Sequence, residues 1–150
     1  MHFKLVPNHV GAAGTVEPRD PFVLAPEPFR VAVTGNRGVT AADRRTIRRA
    51  VRELLGQPEP ETIYFGGALG ADTAALLAAL ELRRAGRPRL VVVVPDTLEA
   101  QPRETWDASR RADEVVELRR PIAAADRWRA YHQRNRWIVD RASLVVAFWD

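Results

Sequence analysis

Five short runs rich in apolar and β-branched residues constrain this chain most: Arg30 to Thr34, Thr62 to Phe65, Arg89 to Val94, Glu114 to Leu118 and Ser143 to Phe148. Several lack the period-two alternation of a strand that is wet on one side. Continuous runs of this kind mark strands covered on both faces, the condition of a parallel sheet.

The segments between the runs carry helical spacing. In the first, Thr40 is an N-cap with Asp43 three residues on, and Ile47, Ala50, Val51 and Leu54 fall on one face opposite Arg44, Arg45, Arg48 and Arg52. The second, about Asp72 to Ala85, is apolar almost all round from Ala74 to Leu80 and stops at Gly86, the pattern of a buried helix. A shorter helix near Glu104 to Arg111 and a longer one from about Asp126 to Arg141 complete the series. Strands alternating with helices predict an α/β fold: a Rossmann-like, doubly wound, open parallel sheet in three αβα layers with right-handed crossovers.

A chain of 150 residues makes one domain with one core. Residues 1–28 contain Pro7, Pro18, Pro21, Pro26 and Pro28 with Gly11 and Gly14, and are expected to form an irregular extension, with Phe3 to Val6 and Phe22 to Leu24 free to lie against the domain or a partner subunit. Residues 29–150 form the domain. The start, Met1-His2-Phe3-Lys4, lacks a basic region followed by a sustained apolar stretch, and the run Leu90 to Pro95 is too short to span a bilayer; a cytoplasmic protein with no membrane partner is expected. Without cysteine there is no disulfide, thiol nucleophile or thiolate metal site. The formal charge of +4 favours anionic partners, but Lys4 is the only lysine among 23 basic residues, and many arginines are interleaved with acids as on a solvated helix face.

Ligands of open parallel sheets bind outside the carboxyl ends of the strands. After the first strand comes Thr34-Gly35-Asn36-Arg37-Gly38, where glycine lets the backbone approach a ligand and Asn36 and Arg37 supply donors suited to phosphate. It is neither a Walker A loop nor a G-x-G-x-x-G turn. After the second strand comes Gly66-Gly67-Ala68-Leu69-Gly70-Ala71-Asp72, opening a helix whose N-terminus is a ready anion site. Asp72 is either a first-turn acid or a partner for a ribose hydroxyl or neighbouring loop amides. On the last helix Trp128, Tyr131, Asn135, Ile138 and Ala142 share one face, which places Asn135 in the core, bonded to the glycine loops or to a ligand. Arg134 lies about 100° round the helix, at the core edge, within reach of a phosphate.

These three segments, in this order, resemble the SLOG superfamily, which groups the Smf/DNA-processing protein A proteins with the Lonely-guy proteins. The likeness spans about residues 29–150 and rests on Val33 to Arg37, Gly66 to Asp72 and Arg134-Asn135. It is strongest to the YspA/YpsA-like branch, through the Gly-Gly-Ala-x-Gly-Ala-Asp loop and a Trp-x-x-Tyr stretch (Trp128, Tyr131) before the Arg-Asn pair. The resemblance implies a nucleotide binder or sensor, with a ligand of the AMP, ADP-ribose or NAD type held by Gly35, Asn36, Arg37, Gly66, Gly67, Ala68, Gly70, Asp72, Arg134 and Asn135, in a homo-oligomer, dimer or tetramer.

Two relatives supply alternatives. Lonely-guy proteins hydrolyse the N-glycosidic bond of nucleoside monophosphates; Arg134 matches their helix arginine, but their Pro-Gly-Gly motif is absent, and the next ligand loop would begin at the end of this chain. Asp96 and Glu99, after the third strand, are the available acids. DNA-processing protein A is similar through the first-loop Gly-x-Arg, the second-loop Gly-x-Asp and Arg134-Asn135-Arg136, which implies single-stranded DNA binding. Trp106, Trp128, Trp137 and Trp149 are available for base stacking, although Trp128 falls on the apolar face. Three scattered histidines, His2, His9 and His132, make no zinc motif, and Ser109 and Ser143 lie in no Gly-x-Ser-x-Gly elbow.

Overall fold

Val31, Ala32 and Val33 are all buried, and they face alternately into two different apolar clusters, Val31 and Val33 into one and Ala32 into the other. Neither side of this run meets water, which is why it forms an interior strand. The computed structural model describes residues 1–8, 29–56, 58–120 and 125–150. In chain order the elements are β1 (His2–Pro7), β2 (Arg30–Gly35), α1 (Ala41–Leu54), β3 (Thr62–Phe65), α2 (Ala71–Leu82), β4 (Arg89–Val94), a 3-10 turn (Arg103–Thr105) leading into α3 (Trp106–Arg110), β5 (Glu114–Glu117), α4 (Arg127–Val139) and β6 (Leu144–Trp149).

The sheet runs β1-β6-β2-β3-β4-β5. Strands β2 to β6 are parallel, so the expected Rossmann-like, three-layer α/β architecture is what the chain adopts. Helices α1, α2 and α3 contribute Ile47, Ala75, Leu76 and Ala108 to the larger cluster. On the other face α4 brings Ile138 against Ala32, Tyr64, Val91 and Val93. The chain winds outward from β2 to β5 and returns on the other side of β2 as β6. The order therefore reverses between β2 and β6, and the crevice outside their carboxyl ends is the topological switch point.

Two expectations change. His2–Pro7, expected within an irregular extension, forms an edge strand antiparallel to β6, with Phe3 opposite Phe148 and Leu5 opposite Val146. Its alternation of exposed and half-buried residues is the pattern of a one-sided edge strand, and Pro7 stands at its end, where a missing ladder donor costs least. Asn8 then donates from Nδ2 to the carbonyls of Val139 at 2.6 Å and Ala142 at 2.8 Å, tying this segment to the end of α4. The remainder of the extension, including Phe22 to Leu24, lies outside the described residues.

Helix ends also move. The second helix stops at Leu82, because residues 84–87 fold back as a tight turn closed by Arg87 N–H donating to Arg84 at 2.9 Å. The capping box of α1 forms as expected: Thr40 Oγ1 accepts from Asp43 N–H, and the Asp43 carboxylate accepts from Thr40 N–H at 2.8 Å. Among the described residues no helix is long and apolar enough to cross a membrane.

Candidate phosphate site at the switch point

Both glycine-rich bends leave the carboxyl ends of neighbouring strands, β2 and β3, and they touch. Ala71 N–H donates to the Asn36 carbonyl at 2.9 Å, joining the start of α2 to the first bend. Gly70 sits at φ +91°, in the left-handed region, and a Cβ there would lie 2.3 Å from the carbonyl oxygens of Asn36 and Arg37. Only glycine closes this contact. The first bend is also stitched to β6, with Asn36 N–H donating to Phe148 at 3.1 Å.

Beneath the bends lies a pair of buried charges that grips a single peptide. Asp72, on the first turn of α2, accepts from Gly66 N–H at 3.1 Å, while Arg134 from α4 donates through Nη1 to the Gly66 carbonyl. A Cβ on Gly66 would lie 2.0 Å from Arg134 Nη1 and 2.6 Å from Asp72 Oδ2, so the missing side chain makes room for both groups. Asp72 is 4% and Arg134 6% exposed, which places both charges almost wholly out of water. Burial pushes the Asp72 carboxyl up to about 6, against the opposing pull of Arg134, the loop N–H groups of Ala68 and Gly66, and Arg37. Burial likewise lowers Arg134, and the Asp72 and Tyr131 side chains counter it. Arg134 Nε is buried without a hydrogen-bond partner.

Gly66 was expected to offer its amide to a phosphate, yet that N–H is committed to Asp72. Asp72 is both the first-turn acid of α2 and a partner of the loop amides, and its carboxylate occupies part of the cradle that the bend forms. What the bends leave exposed beside the start of α2 is Arg37, on the first bend. Arg37 is exposed and, among the described residues, makes no ion pair. Its guanidinium lies 5.5 Å from the centre of the Tyr131 ring, and that of Arg134 lies 5.5 Å from the same ring. Tyr131 therefore orders both cations, a role its residue type alone did not signal. Asn36 is not free either, because its Nδ2 donates to Asp150 at 2.9 Å.

The phase of α4 corrects the sequence reading. Ala130, Arg134 and Ile138 are its buried residues, whereas Asn135 is exposed and Trp128 is 59% exposed. A period of four, continued by buried Ala142, defines the stripe. Counting apolar residues turned Arg134 to the core edge, because the carbonyl and carboxylate that accommodate it come from residues more than sixty positions earlier. Small Ala130 and Ala142 in the same register were the available signal.

Asn135 instead lines a cavity of about 100 Å³ with Thr34, Gly66, Asp72, Ile138 and Val145. Its lining is mainly apolar, with Asp72 as its one charged group, and the space is well below the roughly 300 Å³ at which ligand pockets begin. Neither Asp96 nor Glu99 reaches its lining. Among the described residues no group of three histidines and carboxylates is placed to hold a metal ion.

No family model matches the chain, and no curated protein does. Among solved structures it is similar to DNA processing protein A from Helicobacter pylori, a structure concerned with that protein's single-stranded DNA binding mode. The two share 18% identity at a TM-score of 0.36, over 95% of this chain and 57% of the other. The chain thus spans little more than half the length of that neighbour.

Proposed function

We propose that this is a SLOG-type domain that binds a phosphate-bearing nucleotide or nucleotide derivative, with little or no catalysis. The observation that carries the reading is the junction of the two bends at the switch point, which sets the unpaired Arg37 beside the N-terminus of α2. Helix N-termini favour anions through their free N–H groups and dipole, and a guanidinium adds a forked donor matched to phosphate oxygens. Asp72, Arg134 and Tyr131 serve as the support that fixes this surface. In such a site the phosphate rests at the mouth and Asn135 meets the sugar side in the small cavity.

Isothermal titration with AMP, ADP-ribose, NAD and cyclic nucleotides is the test. Binding of at least one, weakened tenfold or more by Arg37→Ala, is expected; silence toward all of them overturns the reading. Asp72 is the one carboxylate on the cavity lining, and a carboxyl near pH 6 suits proton transfer, but the loop amides already hold it. The expected outcome with AMP is no release of free base.

A second reading is favoured by one observation. Trp128 stands in solvent with Arg129 over its ring at 5.4 Å and His132 in a T-shaped contact with it, a platform on which a base of single-stranded DNA would stack. That reading predicts oligonucleotide binding that falls steeply with salt and is lost in Trp128→Ala, while Arg37→Ala nucleotide binding stays a separate measurement.

A further inference from the structure

At the opposite pole, past the carboxyl ends of α1 and α2, a concavity of about 430 Å³ is lined by Arg52, Arg83, Arg84 and Arg87 with Glu59 as its one acid. We propose that it is a second anion site, independent of the glycine bends, for a compact oligophosphate carrying two or more phosphate groups.

The four arginines are not equivalent. Arg83 builds the wall: it holds Asp113 through both terminal nitrogens, at 2.5 and 3.2 Å, and donates to the carbonyls of Gly86 at 3.3 Å and Pro88 at 3.2 Å. Those bonds fix the turn at residues 84–87. Its central residues, Ala85 and Gly86, have φ of 50° and 69°, the double left-handed geometry of a tight hairpin turn. As a result Arg84 and Arg87 stand directly opposite each other across a β-bridge. Like charges so placed repel, and they are only partly offset: Arg52, Arg84 and Arg87 make no ion pair among the described residues, and Glu59 is the one acid on the lining.

Complementing helix ends does not account for so much charge. Each helix carboxyl end is worth about half a negative charge, less than the three free guanidinium groups bring. A bound anion removes the repulsion and presents oxygens to several forked donors at once. The concavity is half open to solvent, and its volume, within the roughly 300–1,000 Å³ of small-ligand pockets, favours a compact ligand over an extended strand.

The experiment titrates inorganic triphosphate, a nucleoside triphosphate and a single-stranded oligonucleotide into the full chain, its R84Q/R87Q variant and its R37A variant. Triphosphate should bind the wild type, weaken at least tenfold in R84Q/R87Q and stay within twofold in R37A, even where R37A abolishes AMP binding. Preference for the bare chain points to an inorganic source and preference for the nucleoside triphosphate to an ester; either supports the site. Absence of triphosphate binding, equal binding to R84Q/R87Q, or loss in R37A overturns it. So does an R84Q/R87Q variant that loses the oligonucleotide alone, which assigns the surface to nucleic acid. Should R84Q/R87Q fail to show the wild-type thermal transition, Arg52→Gln, on the independent helix α1, reads the same comparison.

Discussion

The two poles of the sheet handle charge in opposite ways. Outside the carboxyl ends of the strands, Asp72 and Arg134 are buried and spend their polarity on one another's surroundings, above all on the Gly66 peptide. Around the carboxyl ends of α1 and α2, Arg52, Arg84 and Arg87 stand unpaired among the described residues. Buried charges must be satisfied within the protein, so they specify a shape; exposed ones are held cheaply by water and remain available to a ligand. At the first pole Arg37 is the exception, and it is the residue on which the proposed nucleotide site turns.

The contrast can be broken by mutation, and the largest effect belongs to Arg134. Replacing it with methionine leaves the Gly66 carbonyl bare and Asp72 alone in the interior, at an expected cost of roughly 3–5 kcal/mol in urea unfolding. A loss below about 1 kcal/mol would show that the buried pole is not organised by this pair.

Asp72 sharpens the same point through pH. Its carboxyl is raised from 3.8 to about 6, so between those values the folded state holds a proton that the unfolded state has released. Stability contributed by this group is present below about pH 4 and is lost as pH rises through 6, by roughly 3 kcal/mol in all. Asp43, Glu81 and Asp113 are shifted downward and act in the opposite sense at lower pH, so the comparison is with Asp72→Asn, which keeps them. The wild type should lose stability relative to Asp72→Asn from pH 4 to 6.5; parallel curves contradict the assignment.

Gly70→Ala comes next. Its Cβ meets two carbonyl oxygens at 2.3 Å with φ at +91°, and about 1–3 kcal/mol of destabilisation is expected, with AMP binding reduced because the two bends separate. The smallest effect tests the other pole: R84Q/R87Q should change stability by no more than about 0.5 kcal/mol, since neither arginine holds structure. A large loss there would make the two poles alike.

Much of the architecture was legible in the residues. Continuous β-branched runs marked interior strands, and Thr40 with Asp43 marked the start of α1, because local spacing alone determines both. The adjacency of Gly35 to Gly38 and Gly66 to Gly70 followed from their places after consecutive strands. Less legible was α4, where an arginine on the buried stripe contradicts any count of apolar residues and is explained by a carbonyl and a carboxylate brought from β3 and α2. Also hidden were the edge strand His2–Pro7, whose partner β6 is at the far end of the chain, and Asp150, which meets Asn36 only once β2 and β6 are paired.

By itself, then, the order of residues determined which segments are strands and helices, where glycine permits close approach, and that the sheet is mainly parallel, since these follow from near-neighbour sterics and hydrophobic period. Tertiary structure alone decided that Asp72 fills its own loop's cradle, that Arg134 rather than Asn135 enters the core, and that four arginines share a hollow. Each depends on groups far apart in sequence exchanging water for one another, and that exchange is settled only when the layers close.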